Sequence, residues 1–77
     1  MNKVRRAKIS AVINVINDKI TSELEDILND EQDAFDNMPE GLQCSERGKQ
    51  SEEAIGILED VLSSLEDIVE NLEEVIS

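Results

Sequence analysis

The sequence predicts an all-α protein: an antiparallel helical hairpin that self-associates into a dimeric four-helix bundle. Three features carry this expectation. Apolar residues in the second half recur at coiled-coil spacing, the first half holds an apolar face of similar length, and the only Pro, the only Cys and two of the three Gly fall between them. With 77 residues there is room for one small domain, residues 1–77, which buries a modest share of its unfolded surface. One Cys gives no intrachain disulfide, and the absence of His removes the commonest metal ligand and the usual general base. A second copy is therefore the expected source of further stability.

The first helix is expected from about Lys3 to about Ala34. Ile9, Ile13, Ile16, Ile20, Leu24, Ile27 and Leu28 keep to one side, with Val12 beside them, although the phase drifts around Ile20. At about 1.5 Å per residue it spans on the order of 45 Å, close to the roughly 40 Å of the second helix. Its basic start and apolar run have the outline of a signal peptide, but Ser10, Asn14 and Asn17 interrupt the run and no small-residue cleavage site follows. No run of about 18 apolar residues exists, so no membrane partner is expected and the cytoplasm is the expected location.

The connection is placed at about 35–50. Asn37, Met38 and Pro39 end the first helix, since proline disfavours helical geometry in the residue before it. Pro39 to Gln43 is expected to form one turn, with Leu42 folding back over the apolar layer. Ser45 and Ser51 are alternative N-caps, each followed by acids suited to a first turn, and Gly48 between them permits a kink or a late start. The second helix is placed at about 51–76.

That helix carries an unbroken heptad seam. Ile55, Leu62, Val69 and Ile76 fall at a, and Leu58, Leu65 and Leu72 at d, while Ala54, Val61, Ile68 and Val75 fill g. Three apolar columns make a face wider than a two-stranded seam needs, so more than one neighbour is expected. The expected self-association core is Ile55, Leu58, Leu62, Leu65, Ile68, Val69, Leu72 and Ile76. The repeat is nearly literal, as LEDVLSS, LEDIVEN and LEEVIS, with LEDILND in the first half.

Formal charge is −12, but residues 1–20 carry +4 and residues 21–77 carry −16. Most of the chain should repel a nucleic-acid backbone, and the short basic arm lacks aromatic neighbours for stacking, so direct nucleic-acid binding is not expected. Lys3, Arg5, Arg6 and Lys8 crowd the start of one helix and Glu70, Glu73 and Glu74 the end of the other, each against its own helix dipole. In an antiparallel pair the two clusters are neighbours and offset one another.

No catalytic, cofactor-binding or metal-binding residue is assigned, and an enzyme is not expected. There is no His, Tyr or Trp, and no nucleophile has an evident base beside it. Asp30, Asp33 and Asp36 recur every third residue but lack the spacing and central Gly of a calcium loop. Cys44, near Arg47 and Lys49, is read as a small residue of the loop rather than a reactive thiol. Candidate partner-binding residues are of two kinds. Phe35, Met38 and Leu42 are large apolar groups at the turn, equally suited to plugging the open end of the pair. Glu59, Asp60, Glu66 and Asp67 belong to acidic columns at e and f that repeat at about 10.5 Å, and such rows can imitate the charges of a nucleic-acid backbone.

The segment EDILNDEQDAFDNMPEGLQCSERG, followed by EEAIGILEDVLSSLEDI, resembles a group of small acidic helical proteins of phages, prophages and their bacterial hosts. Members look alike: a short basic start, an acidic helix running into E-Q-x-x-F-D-N-M/L-P-E, an S-E-R/K-G turn and a second acidic helix. The resemblance covers nearly the whole chain, and its specific part is residues 31–48. Gly41 and Cys44 stand where the pattern has larger polar and small residues respectively. It implies a phage or mobile-element setting, in which such proteins often block host enzymes or defence systems, and it brings no catalytic residue or cofactor.

The expected function is therefore a non-enzymatic acidic protein-binding module that inhibits or adapts a host protein. Two alternatives stand beside it. One is a DNA or RNA mimic occupying the basic groove of a nucleic-acid enzyme; the other is an oligomeric small-ligand or metal sponge, suggested by Asn14, Asn17 and Thr21 near the apolar face.

Overall fold

A computed structural model describes residues 1–77, and the fold is all-α. Its elements in chain order are α1 (Lys3–Val15), a π-helical turn (Ile16–Ile20), α2 (Thr21–Asp36), the single turn α3 (Glu40–Gln43) and α4 (Glu46–Ile76). The first three are continuous and make one rod; α4 makes the other. Asn2 opens the first rod by accepting a hydrogen bond from the Arg5 amide at 2.9 Å.

The rods lie side by side. Ile9, Ile13 and Ile16 meet Leu65, Val69, Leu72 and Ile76 near one end, and Ser51 bonds Glu31 near the other. Residue numbers rise along one rod as they fall along its neighbour, so the chain runs in opposite senses in the two. The molecule measures 58 × 16 × 13 Å, and its radius of gyration of 17.2 Å exceeds the roughly 11.5 Å of a compact chain this long.

The π turn accounts for the drift in apolar phase. Along the first rod the residues that face α4 are Ile9, Ile13 and Ile16, then Thr21, Leu24, Leu28, Glu31 and Phe35, all buried or half-buried. Their spacing alternates between three and four except for the step of five from Ile16 to Thr21, across the π turn. One extra residue is what a π bulge inserts. Ile20, expected on the inner side, is consequently turned outward at 40% exposure, and Ile27 is exposed as well.

The apolar surface is wider than one neighbour covers. Only six residues are buried, and no side chain is completely so. In rods of opposite sense, the positions one residue before the facing ones lie on the same side of the pair. The outer ones are Lys8, Val15, Glu23 and Asp30 of the first rod and Ile57, Ser64 and Asn71 of α4; nearest the seam lie Val12, Ile20, Ile27 and Ala34 of the first rod and Ala54, Val61, Ile68 and Val75 of α4. The six large ones nearest the seam are 39–52% exposed. The accessible surface of 5705 Å² is about 1,000 Å² above the roughly 4,700 Å² typical of a compact monomer of this mass.

Two expectations change. α4 begins at Glu46 rather than near residue 51, because the Ser45 side chain accepts from the Gly48 amide at 3.4 Å and Ser51 is already in the second turn, facing α2. The basic and acidic clusters share one end of the pair, but all seven side chains are exposed and no side-chain hydrogen bond joins them. Fixing long exposed side chains in one geometry costs entropy that a water-screened pair barely returns.

Candidate protein-binding site

At the apex, Met38 and Pro39 stop α2, and the carbonyl of Pro39 accepts from the amides of Leu42 and Gln43 at 2.8 and 3.1 Å to form α3. Gln43 turns its side-chain amide back onto the carbonyl of Phe35 at 3.0 Å, a second donor for a carbonyl that also accepts from the Met38 amide at 3.1 Å. The Leu42 carbonyl accepts from both the amide and the hydroxyl of Ser45, the residue that caps α4. At Gly48, a side chain of any kind would run into the backbone carbonyls of Leu42 and Gln43. Glycine here is a condition for α4 to start so close to α3.

This packing leaves a cleft of about 290 Å³ lined by Ala34, Asn37, Met38, Pro39, Leu42 and Arg47. Two of the three apolar residues expected at the turn, Met38 and Leu42, belong to it. Phe35 does not; it is half-buried in the last turn of α2, on the side that faces α4. Leu42 was expected to fold over the apolar layer and instead stands 47% exposed at the cleft wall. Arg47, weighed in the sequence only as a neighbour of Cys44, supplies a cation to this cleft, one of two among residues 21–77. Cys44 is an exposed free thiol.

The acidic candidates lie elsewhere. Glu59, Asp60, Glu66 and Asp67 are exposed along the middle of α4, on the order of 20 Å from the apex by the helical rise. They form a second surface rather than an extension of the cleft. From Gln50 to Ser77 there are nine acidic residues and no basic one. Glu52, Glu59, Glu66 and Glu73 fall at e, Glu53, Asp60, Asp67 and Glu74 at f, and Glu70 alone at b. None falls at g or c. The carboxylates therefore occupy the side of α4 away from the exposed apolar face.

Of the expected self-association core, Ile55 and Val69 are buried against the chain's own first rod, Leu58, Leu62, Leu65, Leu72 and Ile76 are half-buried, and Ile68 is exposed. Asn14 and Asn17 are exposed and Thr21 half-buried, so this polar trio lines no interior in the single chain. No three His, Cys, Asp or Glu side chains are gathered as a metal site, and no helix is long and apolar enough to cross a membrane. No protein-family model, curated protein or solved structure matches the chain.

Proposed function

We propose that the protein is a non-enzymatic, acidic protein-binding module of a phage or mobile element that inhibits or adapts a host protein with a basic surface in the bacterial cytoplasm. The observation that supports this most is the segregation of charge on α4, which concentrates nine of its ten carboxylates in the e and f columns. Scattered acids would serve solubility equally well; rows confined to one side of the helix present a field of one sign, which attracts a basic surface and speeds encounter. The setting rests on the E-Q-x-x-F-D-N-M-P-E and S-E-R-G pattern, which here builds the apex. Architecturally, the proposal takes the two rods as an antiparallel helical hairpin and two copies as a dimeric four-helix bundle, supported by the width of the apolar face.

Capture from a bacterial lysate tests the binding proposal. Immobilised protein is expected to retain a basic protein that elutes as salt is raised, and the variant Glu59→Lys, Asp60→Lys, Glu66→Lys, Asp67→Lys to lose it. Retention of nothing above background overturns the proposal. A narrower alternative, mimicry of DNA or RNA, is favoured by the regular e and f rows. It requires in addition that duplex nucleic acid compete for the captured protein.

A further inference from the structure

We propose that a second copy of this chain covers the face formed by Val12, Ile20 and Ile27 of the first rod and Val61, Ile68 and Val75 of α4. This assigns the interface of the proposed dimer and rests on that proposal. The a and d seam expected to drive self-association is engaged within the chain: Ile13 and Ile16 pack on Val69, and Ile55 is equally buried. What remains unpartnered is the flank, whose six large residues stand 39–52% exposed.

Charge identifies the occupant. Each copy carries −12, so two copies associate where carboxylates are fewest, and on the first rod only Glu23 and Asp30, at the outer edge with Lys8, fall on this side. Beyond Arg47 at its start, the g column of α4 is apolar, and the neighbouring c column holds Gln50, Ile57, Ser64 and Asn71, without a charge in a chain that is 34% charged. On the opposite side of the pair lie Glu59, Glu66 and Glu73 at e, with Glu25 on the first rod, so pairing there would bring like charges together. Pairing through the flank sends the e and f rows outward and leaves them free for the host protein.

The size also fits. With Ala34 and Ala54 at its apex end, the face runs about 30 Å along the rods and about 20 Å across them, from the helical rise and two helix widths. It covers on the order of 600 Å² per copy, and the total of about 1,200 Å² reaches the range of specific interfaces. A two-fold axis makes the patch its own complement, with every apolar residue meeting an apolar face.

Sedimentation equilibrium of the full chain, together with thermal melts over a range of concentrations, tests the assignment. The wild type is expected at twice the chain mass of 8.6 kDa, with a midpoint that rises with concentration. Val61→Ser with Ile68→Ser should weaken association at least about tenfold, while Glu59→Gln with Glu66→Gln should leave it intact or strengthen it. Should the serine variant be too unstable to sediment, Ile68→Lys alone is read instead: it is expected at one chain mass with its helical circular dichroism retained, and a dimer of unchanged affinity overturns the interface. A wild type of one chain mass with a concentration-independent midpoint overturns both the dimer and this interface. A dimer indifferent to the serine substitutions but broken on the acidic side overturns the interface alone. Neither result bears on capture of a host protein, which is read separately.

Discussion

Ser51, in the second turn of α4, donates its hydroxyl to the Glu31 carboxylate of α2 at 2.5 Å, the one side-chain hydrogen bond between the two rods. Both sit at positions that elsewhere hold Leu or Ile, and Ser51 is 5% exposed. A polar pair inside an apolar seam fixes register, because a shift of one heptad would bury each partner against hydrocarbon.

Ser51→Ala is expected to destabilise the fold by about 1.5–3 kcal/mol in urea unfolding, the usual cost of losing a hydrogen bond to a charged group. Glu31→Ala should cost a similar amount. In the double variant the losses should be less than additive, since they report one contact.

The three glycines are not alike. Gly48→Ala is expected to lower the melting temperature substantially, because its methyl would overlap the carbonyls of Leu42 and Gln43 and force α3 and α4 apart. Gly56, within the same helix, meets nothing within 4 Å, and Gly56→Ala should stabilise by about 0.5–1 kcal/mol through helix propensity. Thermal melts of the two variants side by side, with shifts of opposite sign, check both statements.

The extra residue of the π turn can be removed. Deletion of Lys19 reduces the step from Ile16 to Thr21 from five to four, which turns the bulge into regular α-helix and keeps every facing residue in place. Helical content and melting temperature should stay near wild type. Deletion of Asp26 from the regular stretch of α2 should instead rotate everything beyond it by about 100° and unfold the chain, as circular dichroism would show.

Salt should stabilise the protein. Nineteen acidic groups against seven basic ones repel on balance, and no hydrogen-bonded ion pair joins the end clusters for salt to weaken. Raising ionic strength shortens the Debye length from about 30 Å at 0.01 M to about 3 Å at 1 M, so the melting temperature is expected to rise with sodium chloride.

The sequence made the helical character and the heptad seam of α4 legible because apolar spacing reports directly on which residues turn toward a neighbour. It marked the drift near Ile20 without its cause: a π bulge is a property of backbone hydrogen bonding, and INDKI carries no residue type that demands one. The start of α4 was harder, since Ser45 and Ser51 are equally good caps in isolation. The choice is made by Gly48, which lets the helix begin beneath the Leu42 and Gln43 carbonyls. Met38 and Leu42 were recognisable as apex groups by size alone, whereas the part played by Arg47 depends on α3 and α4 converging, a relationship no local pattern contains.

Cys44 turns the geometry of a dimer into something a gel can read. It is the only thiol, exposed at one extremity of a body 58 Å long. Bridging two such sulfurs requires their Cα atoms to approach within about 7 Å. If paired chains point their bends the same way, mild oxidation has sulfurs close enough to link into a covalent species resistant to detergent. If they point opposite ways, the thiols sit a molecular length apart and the same treatment leaves single chains.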